Sequence, residues 1–209
     1  MMDLTQRQWV RHAVTHPIEG FEDMRWKKSG SVRIAFFIVF LLFIGEIFDE
    51  RLFGFQFGIP YDKTFCIVPY LVKSFVLFGA WVVGNWAVCT LLDGEGTMKN
   101  ICIYSAYSLV PYIVQLFVNV LLSHVLVSDE VVFINVIRLI GVGWTVILLF
   151  SAVRSVHQYS GGKTVFAVIL TIAAMLIMLF LLVLFMSLVQ QIWIFILSVY
   201  TEVSYRFRV

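Results

Sequence analysis

Long apolar runs, separated by short polar breaks, dominate the pattern of hydrophobic and polar positions along the chain. The runs are continuous and lack the period-two alternation of membrane strands, so they predict helices. A helix of about 17 to 25 residues spans the roughly 30 Å hydrocarbon core of a bilayer. Five runs reach this length: 31–48, 67–92, 101–127, 131–153 and 164–188. The sequence therefore predicts an all-α integral membrane bundle of five transmembrane helices.

Composition supports a membrane protein and excludes several other classes. The chain has 209 residues, of which 61% are hydrophobic and only 13% are charged. An average soluble domain carries about 25% charged residues, so the charged side chains here cannot cover a globule in water. A disordered chain needs low hydrophobicity and high net charge, and a disulfide scaffold needs many more than the three cysteines present. The net charge of +2 gives no indication of a nucleic-acid partner.

Lysine and arginine near the ends of the runs predict the orientation of the bundle, because cytoplasmic loops carry an excess of both. With the N-terminus inside, nine fall on the inner side: Arg7, Arg11, Arg25, Lys27, Lys28, Arg33, Lys99, Arg154 and Lys163. Four fall on the outer side: Arg51, Lys63, Arg206 and Arg208. This asymmetry predicts a cytoplasmic N-terminus and an outer C-terminus. The pattern leaves open whether residues 189–209 extend the fifth span or lie in the interface.

Residues 1–30 are predicted to form an N-terminal arm ahead of a membrane domain at 31–209. They lack the short apolar core and small-residue cleavage site of a signal peptide. Apolar Trp9, Ala13 and Phe21 are interleaved with basic Arg11 and Arg25, which predicts short helices lying on an anionic inner leaflet. An ordinary juxtamembrane anchor and a dedicated protein-docking arm both fit this pattern.

Charged residues inside the runs are informative, because a charge at the centre of a span costs about 2.5 to 3.5 kcal/mol. Glu46, Lys73 and Arg138 fall at a similar depth, in the outer third of the predicted bundle. We expect Glu46 to pair with Lys73 or with Arg138. The alternative is that both cations reach the lipid headgroups separately.

The third run carries a polar face. Its members recur at steps of three or four residues, which places them on one side of a helix: Tyr104, Ser108, Tyr112, Gln115, Asn119 and Ser123. We expect this face to point into the bundle, where it either joins helices through hydrogen bonds or lines a conduit or substrate groove. Gln115 and Asn119 complete, with Glu46, Lys73 and Arg138, a candidate intramembrane polar cluster.

Two predicted cytoplasmic loops hold the densest remaining polar chemistry. Residues 93–99 join two antiparallel helices, where glycines are expected to supply positive φ and Thr97 to cap the next helix. Residues 154–163 form the second loop. The candidate partner-docking residues are Asn85, Trp86, Asp93, Gly94, Gly96, Thr97, Lys99, His157, Tyr159 and Lys163. A purely structural role, as turns and surface hydrogen bonds, is the simpler alternative.

No catalytic constellation accompanies these loops. The sequence has no His-Glu-x-x-His pair, no Gly-x-Ser-x-Gly elbow and no Cys-x-x-Cys, and its cysteines lack metal-ligand spacing. Residues 93–99 also lack the Gly-Lys-Ser/Thr ending of a phosphate-binding loop and the ligand count of a calcium loop. We therefore expect no enzymatic activity, no cofactor and no metal.

Short polar motifs are spread in order through most of the chain. They are His16-Pro17 with Gly20-Phe21, Gly30-Ser31, Asn85-Trp86 before Thr90, Asp93-Gly94-x-Gly96-Thr97, Tyr107 with Pro111-Tyr112, His157-Gln158-Tyr159 with Lys163, and Gln190-Gln191 before Tyr200 and Glu202. Together they resemble the Yip-domain family of five-span membrane proteins, and most closely its shorter bacterial branch. The resemblance implies five helices, a cytoplasmic N-terminus and a bacterial plasma membrane.

The resemblance bears less directly on partners. Eukaryotic members interact with Rab-type GTPases in vesicle traffic and carry a longer N-terminal region whose Asp-Leu-Tyr-Gly-Pro tract is missing here, so a Rab-type GTPase is not supported. We expect a non-enzymatic scaffold or accessory protein that docks a membrane or cytoplasmic protein through its cytoplasmic loops. A small transporter, or an accessory subunit of a membrane transport complex, is the alternative.

Overall fold

A computed structural model describes residues 5–57 and 65–206 of the chain. Nine α-helices run through these residues: α1 (Gln6–Thr15), α2 (Glu19–Trp26), α3 (Val32–Arg51), α4 (Val68–Leu71), α5 (Leu77–Leu91), α6 (Met98–Ser108), α7 (Val110–Ser123), α8 (Val131–His157) and α9 (Gly161–Arg206). A π-helical turn, Val72–Val76, joins α4 to α5, and a 3-10 helix, Ser128–Glu130, precedes α8. The described residues contain no strand, which confirms the all-α class.

Four stretches are long and apolar enough to cross a bilayer: Val68–Leu91, Met98–Ser123, Ser128–His157 and Gly161–Arg206. The chain is therefore a multi-pass membrane protein. α3 coincides with the first predicted run and has 20 residues, about 30 Å at 1.5 Å per residue. It falls outside the four because Arg33, Glu46 and Asp49 add charge to its apolar stretch. The fifth span stays a prediction.

The two N-terminal helices pack against the bundle. Trp9 of α1 and Phe21 and Met24 of α2 are buried in the main hydrophobic core, together with residues of α3, α6 and α8. The indole Nε1 of Trp144 in α8 donates to the backbone oxygen of Val14 at 3.0 Å. The arm is thus attached to the bundle through its apolar side, while its position on an anionic leaflet stays a prediction.

Local chemistry explains where several helices begin and end. The Thr97 hydroxyl caps α6 by accepting from the backbone N–H of Asn100 at 3.4 Å, as the sequence predicts. The third run is interrupted at Leu109, between α6 and α7, because Pro111 has no N–H and fits best in the first turn of a helix. Gln158 ends α8 in the left-handed conformation, with φ of 56°.

The last helix is much longer than a single span requires. α9 has 46 residues, about 69 Å at 1.5 Å per residue, against the roughly 30 Å of a hydrocarbon core. Its buried residues are Thr164, Ala167 and Thr171, and residues 181–203 are all exposed. Residues 189–206 therefore extend α9, the helix of the fifth predicted run, and the Gln190-Gln191 pair does not interrupt it.

Candidate functional site

His157 lies in a buried hydrogen-bond network at the predicted cytoplasmic end of the bundle. Its Nε2 is 3.0 Å from Oδ1 of Asn85, and Nδ2 of Asn85 donates to Oγ1 of Thr171 at 3.3 Å. All three side chains are at most 2% exposed. The network joins α8, α5 and α9. We call Asn85, His157, Tyr159 and Thr171 the loop cluster.

Tyr159 holds the two predicted cytoplasmic loops together. Its hydroxyl is shared between the carbonyl oxygens of Cys89 and Leu92, at 3.1 and 3.2 Å. Its ring stacks on His157 with 5.3 Å between centroids, and Lys163 Nζ lies 4.5 Å from the ring centre. Burial raises the pKa of the Tyr159 hydroxyl, so this group stays protonated and keeps donating at neutral pH.

Gly94 and Gly96 are required for the close approach of neighbouring side chains and not for a backbone conformation with positive φ. A Cβ at Gly94 would overlap Nδ1 of His157 and the hydroxyl of Tyr159, and a Cβ at Gly96 would overlap the His157 ring. The positive φ of this loop occurs at Asp93, where φ is 55°, and at neither glycine. The expectation that the glycines supply positive φ is therefore wrong. Their missing side chains leave room for the imidazole and the phenol.

Arg25 connects the N-terminal arm to both loops. Its Nη1 donates to the backbone oxygen of Ser155 at 3.0 Å, and its Nη2 forms an ion pair with Glu95. The sequence indicates Arg25 as a topology signal and as part of the basic pattern of the arm, but nothing local marks partners that lie 70 and 130 positions away. Thr171 is missed for a similar reason, although a threonine inside an apolar helix is a signal that could have been used.

The predicted docking residues separate into an exposed and a buried group. The exposed group, which we call the docking face, consists of Trp86, Asp93, Thr97, Lys99 and Lys163. Asn85, His157 and Tyr159 are buried, and the two glycines are half-buried. Of the predicted docking residues, a partner that approaches the protein surface can reach only those of the docking face. The buried group instead fixes how the two loops lie relative to each other.

A cavity of about 470 Å³ lies inside the bundle, away from the loop cluster. Its lining comes from α3, α5, α6, α7, α8 and the π turn, and consists of Leu42, Glu46, Lys73, Leu77, Phe78, Trp81, Ser105, Leu109, Tyr112 and Leu149. This volume falls within the range of small-molecule sites, about 300 to 1,000 Å³. We call it the Glu46 cavity.

The polar groups of the Glu46 cavity form two separate contacts. At one end the hydroxyl of Tyr112 donates to Oε1 of Glu46 at 3.0 Å, and Nζ of Lys73 lies 3.5 Å from Oε2. Further along, Nε1 of Trp81 donates to the hydroxyl of Ser105 at 3.1 Å. The sequence singles out neither residue: Ser105 lies off the polar face of the third run, and Trp81 is one of many large apolar side chains in the second run.

The partner of Glu46 is thus Lys73, one of the two cations that the sequence predicts. Arg138 instead has its Nη2 3.9 Å from Oδ1 of Asp49. Asp49 stands at the end of its apolar run and was assigned to the polar break that follows. The five residues of the predicted polar cluster therefore do not form one site.

Two irregular helices meet at the cavity. The π turn carries Lys73, and Leu109, which separates α6 from α7, also lines the cavity. π turns are frequent at functional sites, and interrupted helices commonly form the binding sites of membrane transporters. Pro111 signals the second irregularity in the sequence. The π turn has no comparable signal.

The polar face of the third run points into the bundle, as predicted, but it lines no continuous path. Nδ2 of Asn119 donates to Oε1 of Gln115 at 3.1 Å within α7, and both side chains are buried. Neither residue lines the Glu46 cavity, which only Tyr112 reaches from this face. In the described part of the chain, no group of three or more His, Cys, Asp or Glu could hold a metal ion.

A family model for the Yip1 domain matches residues 11–200, which is most of the chain. The chain belongs to the Yip1-domain family. The match includes the loop cluster, the Glu46 cavity and residues 11–30 of the arm. The family is generally not enzymatic. No significant match was found among curated proteins or among solved structures.

Proposed function

We propose that this Yip1-domain protein is a five-span, non-enzymatic scaffold or accessory protein in the plasma membrane of a bacterium, and that it docks a protein partner at its cytoplasmic side. The observation that supports this is the loop cluster, which holds the two loops together through Asn85, His157 and Tyr159. The docking face is therefore a surface of fixed shape. A preorganised surface loses less conformational entropy when a partner binds.

The proposal requires α3 to cross the membrane in addition to the four apolar stretches, which makes five spans. It also requires the docking face to lie in the cytoplasm. Single cysteines are placed in a background where Cys66, Cys89 and Cys102 are replaced by serine. Those at Glu130 and Lys163 test the side on which the docking face lies. One at Glu19, which precedes α3, tests whether α3 crosses, because it should then be labelled only after permeabilisation. We expect an impermeant thiol reagent to label position 130 in intact cells and position 163 only after permeabilisation. Labelling of both positions in intact cells would contradict the proposed topology.

Docking is tested by photo-crosslinking in native membranes. A crosslinking amino acid at Lys99 or Lys163 should capture one reproducible protein partner, and the same group at Glu130, at the opposite end of α8, should not. With the crosslinker at position 99, the charge reversal Lys163→Glu on the same docking face should reduce the yield of crosslinked partner several-fold. A Glu130→Lys exchange should leave it unchanged. The docking proposal fails when no partner recurs, or when both exchanges act alike.

A transport function is the second candidate, and the Glu46 cavity favours it. Two irregular helices line this cavity, as they do in many transporter sites. In proteoliposomes, a phospholipid with a fluorescent acyl chain and an unmodified headgroup should then exchange between leaflets faster with wild-type protein than with Leu77→Trp, which narrows the cavity. Equal exchange rates for wild type, variant and empty liposomes would exclude this movement.

A further inference from the structure

We propose that the Glu46 cavity binds a zwitterionic glycerophospholipid whose headgroup carries a primary amine. The amine and the phosphate would contact Glu46 and Lys73, and part of one acyl chain would occupy the apolar remainder of the cavity. This ligand goes beyond the scaffold role, which concerns the cytoplasmic loops. It shares its cavity with the transport candidate but requires no movement of the lipid.

The distribution of polar groups along the cavity matches an amphiphile. The charged groups Glu46 and Lys73 stand at one end, and the lining continues along α5 as far as Trp81. Eight residues separate Lys73 from Trp81, which is about 12 Å of helix at 1.5 Å per residue. The indole N–H of Trp81 already has the Ser105 hydroxyl oxygen as its acceptor, so the ring donor at this end of the cavity does not need a polar ligand. A small polar solute would leave the apolar part of the cavity unfilled.

Lipid can reach the cavity from the side. The cavity is not enclosed but opens to the surroundings of the bundle, and the residues that line its apolar part are all half-buried: Leu77, Phe78, Trp81, Leu109 and Leu149. For residues inside membrane-spanning helices, those surroundings are the acyl chains of the bilayer. The charged end also lies close to the ends of its helices. Glu46 precedes the end of α3 by five residues and Lys73 follows the start of its span by five, about 7.5 Å in each case.

The charges of the cavity favour a ligand with no net charge. Glu46 and Lys73 neutralise each other, and an added anion or cation would leave one uncompensated charge at membrane depth, which is costly. The pair is also open to a ligand. Its 3.5 Å separation uses one of the three donors of the ammonium group, and the Lys73 side chain is 52% exposed. A zwitterion can place its phosphate on Lys73 and its cation on Glu46.

The carboxylate distinguishes between two common zwitterionic headgroups. A primary ammonium has three N–H donors that can bind Oε2 of Glu46, whereas a trimethylated ammonium has none. A charge-assisted hydrogen bond is short and about twice as strong as a neutral one. The geometry therefore favours phosphatidylethanolamine over phosphatidylcholine, and both over phosphatidylglycerol.

Native mass spectrometry of the purified full chain in detergent tests the proposal. The three lipids, with identical acyl chains, are titrated against wild type, Glu46→Gln, Leu77→Trp and Arg138→Met. We expect phosphatidylethanolamine to bind wild type about tenfold more tightly than phosphatidylglycerol. Glu46→Gln should weaken its binding about tenfold, and Leu77→Trp should abolish it while both charges remain. Arg138→Met is the matched control, because it removes a cation that lies outside the cavity, and should bind as wild type does.

Several outcomes would overturn the proposal. One is equal retention of the three headgroups, and another is a preference for phosphatidylglycerol, which would indicate a simple anion site at Lys73. A third is unchanged binding of phosphatidylethanolamine to Leu77→Trp, because this variant tests the cavity even where Glu46→Gln destabilises the fold. Binding that is confirmed without any leaflet exchange would exclude movement of lipid through the cavity and leave the lipid site intact.

Discussion

Gly141 of α8 packs directly against Gln115 of α7. A Cβ on this glycine would overlap Cβ and Cγ of the glutamine, which are the parts of that side chain least able to move. Gly143, two residues further along the same helix, has no atom within 4 Å of an added Cβ. In α8, therefore, the close contact with α7 requires a glycine at position 141 but not at position 143.

This contrast predicts opposite effects of two alanine substitutions. Gly141→Ala should destabilise the protein by about 1 to 3 kcal/mol, because the contact between α7 and α8 must open. Gly143→Ala should stabilise it by about 0.5 to 1 kcal/mol, because alanine favours the helix more than glycine does. Thermal unfolding in detergent measures both changes. A lower Tm for both variants, by similar amounts, would contradict the observed packing.

A second prediction concerns the loop cluster. Asn85→Ala removes the partner of His157 Nε2 inside a buried site, and an unsatisfied buried group costs about 1 to 3 kcal/mol. His157→Ala should cost a comparable amount, and the double variant should cost clearly less than the sum. Tm values of the three variants provide the measurement. Lys99→Ala, which removes an exposed residue of the docking face, is the control and should change Tm little.

This cluster shows how far the sequence could predict the site. Asn85, His157 and Tyr159 were singled out because each is a polar residue near the end of an apolar run, and the structure brings them together. Their burial could not be predicted, because it depends on α5, α8 and α9 meeting at one point. A residue in a loop of a membrane protein is usually exposed, so the sequence favoured a docking role for side chains that a partner cannot reach.

The helices themselves were more predictable than their irregularities. Apolar runs predicted the positions of the long helices because length and composition determine what can cross a bilayer. The π turn around Lys73 was not predictable, because a shift in hydrogen-bond register needs no particular residue. The continuous α9 was left open as well, since Gln190-Gln191 weakens the apolar pattern without breaking a helix.

A third prediction concerns the attachment of the N-terminal arm. Arg25→Met removes the ion pair with Glu95 and the hydrogen bond to Ser155, so α1 and α2 should open more often. Hydrogen exchange should become several-fold faster in residues 6–26, with little change in α9. Glu95→Gln is a milder control, because it leaves the Ser155 contact in place. Unchanged exchange in Arg25→Met would mean that buried Trp9, Phe21 and Met24 hold the arm without it.

A fourth prediction follows from the two separate ion pairs near the predicted outer end. Glu46 pairs with Lys73 at 3.5 Å and Asp49 with Arg138 at 3.9 Å, so the effects of substitutions should couple more strongly within each pair than between the pairs, whose acids lie one turn apart on α3. Residues in contact typically show interaction energies of about 0.5 to 3 kcal/mol, whereas independent sites add to within about 0.5 kcal/mol. Glu46→Gln with Lys73→Met should therefore lower Tm by less than the sum of the single variants. Glu46→Gln with Arg138→Met should come closer to the sum, because removing Arg138 leaves Glu46 with its own partner. If Glu46 couples to Arg138 as strongly as to Lys73, the four groups act as one network. The Glu46 cavity would then lack a self-contained neutral ion pair, and its predicted preference for a zwitterionic lipid would lose its basis.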